Sequence, residues 1–256
     1  MKTTIVINPA FAANAALVSF INNIDDEMQR GTTIFSGRNV VKRFEIDGFD
    51  RPIIVKRFRK PTFVNTLVYG HLRKTKARRA YLNAFEIIKR GFSTPTPFAF
   101  IEQTHCGLMG FCYYISGECN DAPIGSKIHP SAFDSSFAQA FARYVVSLHS
   151  AGILHYDLNS TNVLYNNENE EFNFSLIDIN RMKFCPLGLH PQRDEVLENL
   201  TLFTGDLYVF SFVASKYIEI DKSAQFTLAE AVAWKQKHDR HYSRRKSFSH
   251  FFKKLF

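Results

Sequence analysis

No stretch of 18 uninterrupted apolar residues occurs in the 256-residue chain, so no membrane-spanning helix is expected. Cysteine is scarce, and Cys106, Cys112, Cys119 and Cys185 form no C-x-x-C pairs of the metal-binding kind. Reduced thiols in the cytoplasm are the simplest account of them. A leader peptide is not supported either: Asn8-Pro9 and Asn14 interrupt the first apolar stretch, which runs on to Asp25-Asp26-Glu27. A strand and a short helix are expected there instead. Acidic residues are missing from the whole interval between Arg57 and Glu86, which holds Arg57, Arg59, Lys60, His71, Arg73, Lys74, Lys76, Arg78 and Arg79.

What is present is apolar and basic. A hydrophobic fraction of 45% with 26 Phe suits a globular chain, long enough for one large domain or two lobes around a cleft. The net charge of +8 and pI near 9.3 call for an acidic partner: nucleic acid, anionic lipid or a phosphorylated substrate.

From Thr32 short β-type runs appear. Thr32–Phe35, Val40–Ile46 and Pro52–Phe58 are separated by the turn-rich segments Ser36-Gly37-Arg38-Asn39 and Asp47-Gly48-Phe49-Asp50. Phe98–Glu102 and Leu108–Ile115 complete an expected five-strand antiparallel sheet, before a link at Ser116-Gly117-Glu118-Cys119. Between them, Lys74–Arg90 has helical spacing and stops at Gly91. Asp134–Ser150 is a second amphipathic helix, with Phe137, Phe141, Tyr144, Val145 and Leu148 on one face. The last stretch, from Lys235, interleaves eight Lys or Arg and one Asp with Trp234, Phe248, Phe251, Phe252, Leu255 and Phe256. That mixture suits an anionic membrane leaflet, RNA, or a terminal helix packed by its aromatics.

The chemistry concentrates in His155-Tyr156-Asp157-Leu158-Asn159-Ser160-Thr161-Asn162 and in Asp178. The apolar runs Val163–Tyr165 and Phe174–Ile177 read as a hairpin with residues 166–171 as its loop. Such a hairpin brings Asn162 towards Asp178, two hard oxygen donors of the kind magnesium takes alongside substrate phosphates. Asp157 lies just upstream, placed to take or orient a hydroxyl proton, and His155 is expected to brace the loop. This is a phosphoryl-transfer arrangement.

H-x-D-L-x-x-x-N followed by an Asp is the signature of the protein-kinase catalytic loop. The likeness extends to Lys56, which follows three apolar strand residues as in V-A-I-K. Glu86, the only acid in the following helix, is the candidate partner for that Lys. The glycine loop is weak: only Gly31 and Gly37 are present, with Arg38 as an added phosphate contact. Asp178-Ile179-Asn180 stands where D-F-G would, there is no A-P-E, and 78 residues follow Asp178. That brevity favours a small acceptor over a peptide.

The chain resembles the lipopolysaccharide kinases, the kinase-like family acting on Kdo or heptose of the lipid A–core region, in the short form found in Bacteroidetes. Residues 34–39, Val55-Lys56-Arg57-Phe58, residues 76–81 and 94–102, the catalytic loop, and Leu176-Ile177-Asp178-Ile179-Asn180-Arg181-Met182-Lys183-Phe184 carry the resemblance. It implies an α+β, two-lobed protein-kinase-like fold. The small antiparallel-sheet lobe spans 1–116, including an extension over 1–30, and the mainly helical lobe spans 117–256. It implies ATP- and magnesium-dependent transfer of the γ-phosphoryl group to a sugar hydroxyl of the inner core. Asp157 is then the base, with Lys56 as its catalytic companion; the family's helix glutamate falls nearer Leu82, and Glu86, four residues on and on the same helix face, is the candidate for that role here. Lys56, Gly37, Arg38 and Glu118 hold the nucleotide, and Asn162 and Asp178 hold the metal. The implied partner is the anionic lipid A–Kdo precursor, met at the cytoplasmic face of the inner membrane, with no nucleic acid. A kinase for another small molecule or for protein Ser/Thr, and a nucleotide-binding pseudokinase, stay open at this point.

Overall fold

The computed structural model describes residues 2–60, 74–105, 108–168 and 171–255, excepting the side chains of residues 168 and 245–255. The elements, in order, are β1 (Lys2–Ile7), α1 (Ala15–Asn22), α2 (Ile24–Glu27), β2 (Thr32–Ser36), β3 (Val40–Phe44), β4 (Ile53–Phe58), α3 (Lys76–Lys89), β5 (Pro97–His105) and β6 (Leu108–Gly117). There follow β7 (Ala122–Pro123), α4 (Ser135–Ser150), β8 (Ile153–His155), β9 (Val163–Glu168), β10 (Glu171–Leu176), β11 (Met182–Phe184), α5 (Arg193–Leu200), α6 (Leu207–Ile220) and α7 (Leu228–Leu255). Two compact units result: residues 1–120 with 178–180, and residues 121–177 with 181–256.

The first unit is built on an antiparallel sheet of order β1-β5-β6-β4-β3-β2. It has six strands, not the five expected, because β1 pairs with β5 in the register Ile5↔Ile101. The N-terminal segment is therefore structural. Asn14 caps α1 by accepting from Leu17 N–H at 2.8 Å. Leu17, Phe20, Ile21, Ile24 and Met28 are buried in one core with Ile53, Val55, Phe98, Ile101, Tyr113 and Ile115 of the sheet. The Asp25 carboxylate ties this layer to the sheet, accepting from Tyr113 Oη at 2.6 Å and Gln103 Nε2 at 2.7 Å.

Successive strand residues face opposite sides, so Phe100, Tyr114 and Lys56, neighbours across β5, β6 and β4, share the other face. Helix α3 covers it, with the Tyr81 and Phe100 rings 5.2 Å apart. Thr75 caps α3 through Arg78 N–H at 3.1 Å, and Gly91, at φ 84°, ends it in the left-handed region that glycine adopts without strain. The alternation of β4 thus delivers Lys56 to the face that α3 occupies.

The second unit centres on α4, capped by Asp134. Phe137 packs against Tyr165 at 4.6 Å and Phe172 at 4.9 Å, and Phe141 against Phe203 at 5.3 Å and Phe174 at 6.0 Å. Phenylalanine dominates these contacts. Phe141 is fully buried, so Phe141→Ala is expected to cost about 3–5 kcal/mol of stability, read as a lower urea midpoint. Helix α7 starts on this unit: Trp234 donates to Glu198 at 3.1 Å, and the buried Lys235 ammonium bonds Thr201 O and Asp239. The tail aromatics from Phe248 onward lie outside the described side chains, as His71 and Arg73 lie outside the described residues. Cys112, Cys119 and Cys185 are not joined in disulfides, and burial pushes the Cys112 thiol up to about 12. Among the described residues, no helix is long and apolar enough to cross a membrane.

Candidate active site

The catalytic loop is held by one imidazole. His155 ends β8, is almost fully buried and pairs with Met182 of β11. Its Nδ1 lies 3.0 Å from Asp157 N, which is a donor, so Nδ1 must accept. The proton then sits on Nε2, which donates to Ile177 O at 2.9 Å. The same ring therefore fixes the backbone of Asp157 and the carbonyl immediately before Asp178. Asn162 completes the loop: its Nδ2 donates to Asp157 O at 2.9 Å, and its own carbonyl accepts from Ile177 N–H at 2.9 Å. The hairpin forms, with Val163 opposite Leu176, but its strands run further than expected: Asn166, Asn167 and Glu168, placed in the loop from the sequence, pair with Asn173, Phe172 and Glu171. Leu158, fully buried, anchors the loop from below.

Both backbone groups of Asp157 are thus committed, while its carboxylate is held only loosely. That side chain is 38% exposed, with Asn159 Nδ2 at 3.5 Å and Arg181 Nη1 at 3.9 Å as its neighbours. A carboxylate carried on a fixed backbone, with open lone pairs, is what a proton acceptor needs.

A second buried network braces the loop from behind. Asn199 of α5 donates through Nδ2 to His155 O at 2.8 Å, and its Oδ1 accepts from His149 Nε2 at 3.0 Å. His149 Nδ1 then accepts from Tyr217 Oη at 3.0 Å. Burial lowers the His149 pKa from 6.5 to about 4, so the ring stays neutral in the folded protein. The unfolded chain takes up a proton near 6.5 and the folded chain does not, so this contribution is complete above pH 6.5 and is lost as pH falls towards 4. At pH 5 the loss is on the order of 2 kcal/mol. His149→Gln is expected to flatten that part of the pH dependence, measured as urea midpoints at pH 7 and pH 5.

In the first unit, Lys56 Nζ lies 2.7 Å from Asp178 Oδ1. Asp178 has φ 53°, the only positive value for a non-glycine residue among those described. Asn180 Nδ2 donates to the same Oδ1 at 2.5 Å, and Asn83 Nδ2 of α3 donates to Ile179 O at 2.7 Å.

The expected pair between Lys56 and Glu86 is replaced. Glu86 accepts from Arg90 Nε at 2.8 Å, one turn along the same helix. The Arg90 side chain is 6% exposed, and a buried guanidinium needs a carboxylate more than the half-buried Lys56 does. Asn83, one turn before Glu86, is the residue of α3 that reaches the Asp178 segment. Asn83 and Asn180 were not singled out from sequence. The signal was there in part: Asn180 is the third residue of D-I-N, and Asn83 shares a helix face with Glu86.

The nucleotide candidates are placed as follows. Gly37 and Arg38 sit in the turn between β2 and β3, where Gly37 N–H bonds Asn39 O at 3.1 Å. The Glu118 carboxylate is bound by Arg43 Nε at 2.7 Å, and its N–H donates to Pro52 O at 3.2 Å. Both of these groups of Glu118 are engaged within the unit.

Among the described residues there is no cluster of three or more His, Cys, Asp or Glu side chains able to hold a metal ion. The oxygens available are a carboxylate at Asp178 and a carboxamide at Asn162. Each, within its own unit, is a hard donor of the kind magnesium takes.

These features define the class: an α+β, two-lobed protein-kinase-like fold with a small antiparallel-sheet unit and a mainly helical one. The solved structure "WaaP in complex with acyl carrier protein" has this fold, with a TM-score of 0.59 and 16% identity over 94% of this chain and 99% of that one. The Rio2 kinase–ADP/Mg2+–phosphoaspartate complex from Chaetomium thermophilum aligns at a TM-score of 0.47 and 12% identity, over 89% of this chain and 75% of that one. Residues 127–198, which contain the catalytic loop and Asp178, match the model of the Lipopolysaccharide kinase (Kdo/WaaP) family. The resemblance to the lipopolysaccharide kinases read from the sequence is borne out by that match. No curated protein matches the chain by sequence.

Proposed function

We propose that the chain is an ATP- and magnesium-dependent phosphotransferase that moves the γ-phosphoryl group to a hydroxyl of Kdo or heptose on a lipid A precursor. The observation that carries this reading is the Asp157 carboxylate, 38% exposed on a backbone held at both its N–H and its carbonyl, within the segment that the lipopolysaccharide kinase model matches. Asp157 accepts the acceptor hydroxyl's proton as the oxygen attacks the γ-phosphorus and the bond to the β-phosphate oxygen breaks. Lys56 exchanges the Asp178 carboxylate for phosphate oxygens when nucleotide enters. Asp178 and Asn162 would hold the magnesium, which when bound neutralises charge on the transferring phosphates. Residues 1–116, with Gly37 and Arg38, and Glu118 just beyond them, serve the nucleotide, while residues 117–256 serve the acceptor and supply the metal-holding Asn162 and Asp178. Glu86 acts through Arg90 rather than through Lys56.

The basic charge suits an acceptor that is already anionic, and the basic, aromatic end of the chain suits the cytoplasmic face of the inner membrane. A second reading, a nucleotide-binding pseudokinase, is favoured by one observation: the acid of α3 is spent on Arg90. An acceptor panel separates the two. Labelled ATP with magnesium is supplied with Kdo–lipid A, a heptose-bearing inner core or a Ser/Thr peptide. Label in a sugar acceptor alone is expected; label in the peptide alone contradicts the proposal, and nucleotide binding with no label in any acceptor selects the pseudokinase.

A further inference from the structure

Asp178 occupies a backbone region that costs a non-glycine residue about 1–3 kcal/mol and persists only where the surroundings determine it. Three contacts do so. Lys56 and Asn180 converge on one oxygen, Oδ1, at 2.7 and 2.5 Å, which restrains the rotation of the carboxylate. Asn83 holds the carbonyl of the very next residue, Ile179, at 2.7 Å.

The three donors differ in one property. Lys56 carries a charge that phosphate can draw away and that partly cancels the carboxylate's attraction for a cation. A carboxamide is neutral: it orients a carboxylate without neutralising it, and phosphate does not compete for it strongly. Asn180 is 7% exposed, so its bond to Asp178 is largely shielded from water. Helix α3, lacking an acid on Lys56, still reaches this segment through the amide of Asn83.

We infer that Asn180 and Asn83 are positioning residues for the Asp178 carboxylate, holding Oδ1 and the following peptide so that Asp178 meets a divalent cation in a single orientation. This rests on the phosphotransferase reading. Both act through Asp178 and neither touches substrate.

The probe is Mn2+, titrated by the loss of its free electron-spin-resonance signal in the presence of a non-hydrolysable ATP analogue. Wild type, Asn180→Ala, Asn83→Ala, Asn83→Gln and the double alanine variant are compared, each shown to be folded by its thermal transition. Asn180→Ala is expected to weaken Mn2+ binding about tenfold, as removal of a group that orients a ligand does. Asn83→Ala weakens it about threefold, and Asn83→Gln, which keeps the donor, recovers the wild-type value. The double variant falls short of the product of the two single effects, because both act through one carboxylate. Affinity for the metal-free nucleotide stays unchanged. Folded alanine variants that bind Mn2+ as wild type does overturn this inference alone. Failure of wild type to bind Mn2+ with the nucleotide overturns the phosphotransferase reading and this inference together.

Discussion

Asp157→Asn is expected to lower the rate of phosphoryl transfer by about a thousandfold, within the range general-base catalysis supplies, while nucleotide affinity stays at the wild-type value. The substitution is nearly isosteric. It leaves the contacts that shape the loop, because the His155 ring holds the Asp157 N–H and Asn162 holds its carbonyl, and both are backbone groups. It removes only the capacity to take a proton. The side chain is 38% exposed and makes no close bond, so no buried partner is orphaned and the thermal transition should not move. Single-turnover rates with saturating nucleotide, beside a nucleotide-binding titration, separate the two effects. A folded Asp157→Asn variant that transfers phosphate at the wild-type rate removes Asp157 from the chemistry.

The second large effect is expected at Asp178. Asp178→Asn should weaken divalent-cation binding about a hundredfold and lower transfer by a comparable factor, since a neutral oxygen replaces the charged ligand. Asparagine is the informative choice. It tolerates the left-handed region that Asp178 occupies at φ 53°, as alanine does not. The variant keeps an oxygen for Lys56 and Asn180, so a loss of metal affinity is not a loss of fold. The metal dependence of transfer, measured as the Mg2+ concentration giving half-maximal rate, reads the shift directly. An unchanged dependence contradicts the metal role of this residue.

How much of this was legible beforehand differs by element, for physical reasons. The catalytic loop and its hairpin were readable because turn residues at fixed spacing are bounded by short apolar runs. The observed pairing of Val163 with Leu176 follows from that pattern. The strands and helices around Lys56 were legible in the same way, each to within a few residues.

The sixth strand was not. β1 meets β5 across nearly a hundred residues, and no local periodicity encodes which edge of a sheet a distant strand will join. Nor was the partner of Lys56 legible. Residues 82, 83 and 86 lie within about a turn of one another, and spacing alone does not decide which of them faces the sheet. The structure buries Ala80, Ala84 and Ile87 and leaves Leu82 38% exposed, which turns Asn83 towards the Asp178 segment. Glu86 then takes the largely buried Arg90, a demand that appears only once burial is known. The brace formed by Tyr217, His149 and Asn199 was invisible for the same reason, since it joins three helices scattered along the sequence.

The most direct test of the central claim is the chemical identity of the product. Wild-type protein, Kdo–lipid A, ATP and Mg2+ are incubated, and the recovered lipid is analysed by phosphorus NMR and mass spectrometry. The account requires one new phosphomonoester on the sugar, formed in step with ADP and absent with Asp157→Asn. ADP released with inorganic phosphate only, and an unmodified lipid, would contradict it.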